Sequence, residues 1–312
     1  MQRRNFIKQT GLALGAVALS QPLYSCISGK EVFDFEISLA QWSLHKAFFG
    51  KEINPLDFPV VAKTKYDISG VEYVNQFFAD KAEDATFLAE LNKRASDYGV
   101  KNVLIMVDNE GHLAANDKTE RHKAVENHYK WVIAAKTLGC HSIRVNLHGD
   151  GTAEEWKHAS IDGLGRLTEF AANHKMHVIV ENHGQHSSNG GWVTEIIKEI
   201  NNPYCGTLPD FGNFCVRRRD GDLWESPCVE FYDKYKGVEE MLPYAKGISA
   251  KAFEFDENGN ETTIDFLKMF TMVKNVGYKG FVGIEYEGNG LSEDEGIKKT
   301  KLLLEKVKVA LR

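Results

Sequence analysis

The sequence predicts an α/β protein whose single domain is a (β/α)8 barrel. Three observations carry that expectation. Eight short apolar or β-branched runs recur at intervals of roughly 30–40 residues, as successive βα units require. Helical patterns fill the intervals. Several of those patterns stop at a glycine shortly before the next run, at Gly99, Gly139 and Gly277, a residue that accepts the left-handed conformation closing a helix.

The runs fall at 35–39, 70–74, 102–107, 142–147, 177–180, 205–208, 247–250 and 281–284. Val103-Leu104-Ile105-Met106-Val107 is continuously apolar. That suits a parallel strand covered on both faces better than an alternating, half-solvated one. Between the runs, residues 84–98 carry Phe87, Leu88, Leu91 and Ala95 at helical spacing. Residues 120–138 repeat the pattern with Val125, Tyr129, Val132, Ile133 and Ala135. Further helices are expected at 161–172, 192–200, 265–276 and 293–311. Alternation of strand and helix implies a parallel sheet, and eight units imply closure into a barrel. An open doubly wound sheet is the alternative. No GxGxxG follows the first run, which weakens its dinucleotide-binding version. One connection is long, from Asn213 to about Lys246. It holds Arg217-Arg218-Arg219-Asp220-Gly221-Asp222, Trp224 and Pro227, and is expected to form a lid or wall over one end of the barrel, or a solvated excursion.

Composition narrows the function. The chain has 312 residues, 43% hydrophobic and 26% charged, and a net charge of −6. That is ordinary globular usage, without the basic footprint of a nucleic-acid binder. Mean hydropathy is −0.35, too low for a multi-span membrane protein. Residues 1–26 read as an export signal rather than fold. Arg3-Arg4 precedes Phe6-Ile7-Lys8 and an apolar stretch at 11–19, which resembles a twin-arginine signal. Leu23-Tyr24-Ser25-Cys26 resembles a lipoprotein box, so Cys26 is a candidate lipid anchor to the membrane. The barrel is expected over 33–312, in the periplasm or tethered to its membrane. Cys140, Cys205, Cys215 and Cys228 form no CxxC pair, which argues against a structural zinc site. An oxidising compartment would permit a bridge between Cys215 and Cys228, and four free thiols are the default.

Polar residues gather at the expected C-terminal ends of the strands, where barrels of this class place their chemistry. The first run leads into Gln41-Trp42-Ser43, with His45 behind; the second contains Glu72; the third leads into Asp108, with Glu110 and His112 beyond. The fourth ends Asn146-Leu147-His148, the fifth Glu181-Asn182-His183, the sixth Asp210-Phe211-Gly212-Asn213. The seventh carries Ser249 and Lys251, and the eighth Glu285-Tyr286-Glu287-Gly288. Carboxylates converging on one mouth repel unless a cation compensates them. Glu181, Asp210 and Glu285 are therefore candidate ligands of a divalent metal. An oxygen-rich set suits Mg2+ or Mn2+, with Co2+ and Zn2+ as further candidates. The alternative for the same carboxylates is a pair of buried ion pairs with Lys251 and Arg144. His122, His128, His141, His158, His174 and His177 fall on helices or junctions and read as structural.

At these residues the sequence resembles the xylose isomerase-like TIM barrels, the sugar (phosphate) isomerase/epimerase superfamily. The resemblance covers roughly 33–310. It rests on Val180-Glu181-Asn182-His183-Gly184, Asp210-Phe211-Gly212-Asn213 and Val282-Gly283-Ile284-Glu285-Tyr286-Glu287-Gly288. It implies that Glu181, Asp210 and Glu285 bind the metal. The family often adds a histidine from the seventh strand. Here Gly247-Ile248-Ser249-Ala250-Lys251 has none, so water, His183 or the Lys251 ammonium would have to fill that role. The resemblance further implies a sugar substrate and proton abstraction next to a carbonyl. Glu181 and Glu285 would be the paired acid and base, with Lys251 stabilising the enediolate. His183, Asn213, His148, Arg144 and Glu72 would hold the substrate, with Trp42 and Phe211 offering apolar faces to the ring. A lyase or dehydratase acting on an oxidised sugar or glycoside would use the same machinery, and a non-catalytic sugar-binding lipoprotein is a further alternative. An abasic-site nuclease would need a histidine cluster and a basic face that this chain lacks.

Overall fold

A computed structural model describes residues 33–312. Residues 1–26, read above as an export signal ending at Cys26, lie outside the described residues. Six parallel strands come first: β1 (Glu36–Ala40), β2 (Gly70–Val74), β3 (Lys101–Val107), β4 (Ser142–Asn146), β5 (His177–Glu181) and β6 (Cys205–Leu208). A short antiparallel hairpin follows, β7 (Cys215–Arg218) with β8 (Cys228–Phe231). The chain then returns to the main sheet as β9 (Ile248–Ala252) and β10 (Phe281–Tyr286).

The eight parallel strands lie in the order β6-β5-β4-β3-β2-β1-β10-β9. The ring closes between β6 and β9 through bridges Thr207 to Ala245 and Asp210 to Ser249. Lys246 N donates to Thr207 O at 3.0 Å and Ser249 N to Pro209 O at 3.1 Å across that seam. The architecture is the expected barrel.

The helices α1 (His45–Phe49), α2 (Phe58–Tyr66), α3 (Ala85–Asp97), α4 (Lys118–Leu138), α5 (Ala153–Asn173), α6 (Gly190–Ile200), α7 (Lys234–Met241), α8 (Phe266–Asn275) and α9 (Glu293–Ala310) flank the strands. α5 begins earlier than its apolar pattern suggested, because Thr152 and Glu155 form a reciprocal capping box. Ser292 and Glu295 do the same for α9. The apolar pattern gave no sign of α1, α2 and α7, which are short.

Each strand alternates between two environments. Val178 and Val180 join the large core between strands and helices. Ile179 points the other way, into a smaller cluster with Ala40, Val74, Val103, Leu104, Met106 and Leu208. That cluster plugs the barrel interior. The same alternation decides the site. Two residues beyond Ile179, inward again, stands Glu181. Gly283 and Glu285 form the corresponding inward pair on β10, as do Ser249 and Lys251 on β9.

Candidate active site and metal centre

Glu181, Asp210 and Glu285 each offer a carboxylate oxygen, and these oxygens lie within 4.8 Å of one another. All three side chains are buried. The seam of the barrel places Asp210. Asn182, next to Glu181, donates to Asp210 O at 2.9 Å and accepts from Asp210 N at 2.7 Å. Asp210 Oδ1 then accepts from the Gly212 and Asn213 amides, both at 2.8 Å. The remaining oxygen, Oδ2, faces the cluster.

Two cations hold the three acids from opposite sides. Lys251 Nζ lies 3.0 Å from Glu285 Oε1, 3.0 Å from Glu287 Oε1 and 3.7 Å from Asp210 Oδ2. Its side chain is 1% exposed. Arg144 Nε lies 2.9 Å from Glu181 Oε2, and another guanidinium nitrogen 2.6 Å from Asp108 Oδ1. The two buried ion pairs weighed as an alternative are thus present.

They do not exhaust the carboxylates. Ser249 Oγ sits 2.6 Å from Asp210 Oδ2 and 2.7 Å from Glu285 Oε2, with one hydroxyl proton for two acceptors. Glu181 Oε2 makes no aligned hydrogen bond despite its burial. Burial raises the Glu181 carboxyl well above the usual carboxylate range, and pushes Asp210 up to about 6 even though Lys251 opposes it. Burial acts upward on Glu285 too, but Lys251 and the Ser249 hydroxyl hold it below its ordinary value. An all-oxygen cluster of three buried carboxylates, two of which share a single hydroxyl proton, fits a small divalent cation. Among the described residues His183 does not join that ligand group.

Around Arg144 a set of hydrogen bonds fixes Asp108, Asn146 and His183. Asn146 Nδ2 donates to Asp108 Oδ1 at 2.7 Å, so its Oδ1, 3.0 Å from His183 Nδ1, is the accepting atom. The His183 proton therefore resides on Nδ1, and Nε2 is left as an acceptor. Burial, reinforced by Arg144 and His148, keeps His183 neutral well below the ordinary histidine value. Burial acts upward on Asp108, but the Arg144 guanidinium overrides it and holds the carboxyl at about 2. His148 Nε2 donates to His183 O at 2.9 Å.

A cavity of about 590 Å3 opens above these groups. Trp42, Arg144, His148, His183, Asn213 and Glu285 all line it, and Asn213 also reaches Glu181 Oε1 at 3.3 Å. Glu72 does not line it. It lies inside the barrel, taking a 2.5 Å hydrogen bond from Ser38 Oγ, and burial pushes its carboxyl up to about 7. An inward position below the strand end puts it under the site rather than in it. Phe211 is likewise displaced. Asp210 points inward, so its neighbour points outward, against Phe266 and Phe270 of α8. Lys251 and Glu181 sit beneath the lining rather than on it. Residues given no role from sequence prove structural to the site: Asn146, Asn182, Ser249 and Glu287. Only their strand-end positions hinted at it. A smaller outer depression of about 390 Å3 beside Tyr235, Phe266 and Leu303 contains no candidate site residue.

The model of the xylose isomerase-like TIM barrel family matches residues 61–307. No curated protein sequence matches the chain. Several solved structures share its fold. One is the IolI protein with a bound zinc atom, at 14% identity and a TM-score of 0.68, covering 89% of this chain and 99% of that one. Another is D-psicose 3-epimerase in the presence of D-fructose, at 12% identity and 0.65, covering 88% and 99%. A third is the probable 3-DHS dehydratase AsbF of Bacillus anthracis, at 18% identity and 0.62, covering 86% and 99%.

Proposed function

This chain belongs to the xylose isomerase-like TIM barrel family, and on that premise we propose that it is a divalent-metal-dependent isomerase or epimerase of a small sugar. The observation that carries the reading is the buried convergence of Glu181, Asp210 and Glu285 beneath a cavity that Glu285 enters. Those three residues would hold Mg2+, Mn2+ or Co2+, or Zn2+ as in one fold neighbour. A cation there would polarise the sugar carbonyl and its adjacent hydroxyl.

The chain's own residues divide the remaining work. Glu285, kept ionised beside Lys251, takes the proton from the carbon next to the carbonyl. The C–H electron pair forms the C=C bond of an enediolate, and the carbonyl oxygen takes the charge. Glu181, whose burial favours its protonated form, returns a proton from another strand. His183 Nε2 accepts a sugar hydroxyl, Asn213, His148 and Arg144 orient others, and Trp42 covers an apolar ring face. Lys251 acts through Glu285 and Glu287 rather than on the sugar. Glu72 is left out, since it lies below the cavity. We place the protein outside the cytoplasm, anchored through Cys26, on the strength of its N-terminal residues. A disulfide between Cys215 and Cys228 accords with that compartment.

The test is incubation of the metal-loaded protein with a panel of free and oxidised sugars in D2O. The expected result is one deuterium incorporated beside the carbonyl at otherwise constant mass. Glu285→Gln should slow it by about 10²–10⁴-fold, the usual worth of a positioned base. Loss of water or of an aglycone from the product would assign a lyase instead. No exchange by protein whose metal content has been verified would overturn the reading.

A further inference from the structure

The mouth of the barrel carries two indole platforms, Trp42 and Trp224. Trp42 follows β1 and stacks on His45 at 5.1 Å. Trp224 comes from the β7–β8 hairpin and covers His183, which follows β5, at 4.4 Å. In the closed ring β1 and β5 are four strands apart. The two indoles therefore stand on opposite walls of one cavity, and both line it.

The second platform is built, not incidental. The Cys215–Cys228 disulfide cross-links the two hairpin strands, joining the first residue of β7 to the first residue of β8. Arg218 donates to Leu223 O at 2.8 Å and to Ser226 O at 2.6 Å, fixing the tip on either side of Trp224. Asp222 Oδ1 caps the same turn through the Ser226 amide at 3.1 Å. The guanidinium of Arg218 lies 6.0 Å from the indole centroid. Below, Gly184 has φ +82°, and a Cβ there would meet the indole at 3.0 Å. A glycine is what lets the ring lie flat over the loop after β5. Yet Trp224 remains 44% exposed, and Phe231, at the other end of the hairpin and also lining the cavity, 71%. A rigidly held aromatic face left open to solvent at a cavity mouth is the surface a second sugar ring or an aglycone stacks on.

We propose that Trp224 is the platform of a second subsite, and that the substrate class is a glycoside or disaccharide rather than a free monosaccharide. The inference rests on the sugar-converting reading above. The reacting ring lies over Glu285 on the Trp42 side, and the attached ring or aglycone lies on Trp224.

The test is calorimetric titration of the metal-loaded protein with matched pairs: D-glucose against cellobiose and maltose, D-xylose against xylobiose, D-galactose against lactose. At least one disaccharide should bind about tenfold more tightly than its monosaccharide, the worth of one good aromatic contact. In Trp224→Ala that ratio should fall towards one. Trp224→Phe should keep part of it, which guards against a variant that merely disturbs the fold. Cys215→Ser with Cys228→Ser should lose the ratio as Trp224→Ala does, because the platform is no longer pinned. Equal binding of both members of every pair would overturn the second subsite and leave the sugar reading standing. An equal loss for both members in Trp224→Ala would overturn it too, by assigning Trp224 to the first ring. No binding of any sugar of either length would overturn both.

Discussion

Arg144 and Lys251 are both buried cations facing the same three acids, and they solve different problems. Arg144 presents a planar fork to Asp108 and Glu181, with Asn146 and His183 completing the array. One of its acids, Asp108, is held at about 2 and is ionised at neutral pH. Lys251 presents a single point charge to Glu285, Glu287 and Asp210. It cannot satisfy all three, and Asp210 is left at about 6. Guanidinium forks match carboxylates with fixed geometry, whereas an ammonium distributes. The Arg144 side is a finished scaffold. The Lys251 side is a charge deficit, and the deficit is where a metal would add binding energy.

The largest effects should come from removing each cation in turn. Arg144→Met leaves two acids buried without their partner and should cost about 3–5 kcal/mol of stability. Lys251→Met should cost a similar amount in the presence of a chelator. The two should then diverge on adding millimolar Mn2+ or Mg2+. In Lys251→Met the cation meets two ligand carboxylates, Asp210 and Glu285, that have lost their partner, and should recover much of the loss by binding the folded state. In Arg144→Met it should recover less, because of the two acids left without a partner only Glu181 belongs to the ligand group and Asp108 stands outside it. Urea titrations of both variants, with and without metal, read this directly. An equal response to metal would break the distinction.

A smaller effect separates the two sides by pH. Asp108 has a folded value near 2 against an ordinary 3.8. A depressed carboxyl contributes stability above its unfolded value and loses it as pH falls through the folded one. Between about pH 4 and pH 2 the wild type should therefore lose about 2 kcal/mol through this group. Asp108→Asn should lose correspondingly less over that interval, while starting from a lower stability at neutral pH. Thermal melts across the window check it, and parallel curves for the two proteins would refute the assignment.

How much of this was legible in the sequence follows from what alternation can tell. The barrel was legible because buried parallel strands must be apolar runs, and the runs punctuate the chain regularly. Glu181, Asp210 and Glu285 were legible because acids at strand ends stand out against apolar strands. Which way a neighbour points was not legible without the register. Glu72 lies on a strand, but below the cavity. Phe211 adjoins an inward acid and so faces α8. The β7–β8 hairpin was illegible as strand, since Cys215-Val216-Arg217-Arg218 and Cys228-Val229-Glu230-Phe231 are four residues each and half exposed. Its shape is imposed by the disulfide and by the Arg218 contacts, which no periodicity encodes. Ser249 was visible at its position, but its service to two carboxylates is a property of the seam.

The smallest predicted effect is the one that sharpens the Lys251 side most. Ser249→Ala removes a hydroxyl that donates to Asp210 or Glu285 and leaves Lys251 in place. A hydrogen bond to a charged group contributes about 1.5–3 kcal/mol, but here two acceptors share one proton, so the loss should lie near the lower figure. The same change leaves Asp210 Oδ2 and Glu285 Oε2 free to take a cation without displacing the hydroxyl. Metal affinity measured by calorimetry should therefore rise in Ser249→Ala even as stability without metal falls. A loss of both would mean that the hydroxyl is itself a ligand. A gain in affinity would mean that it fills part of the deficit only while the site is empty.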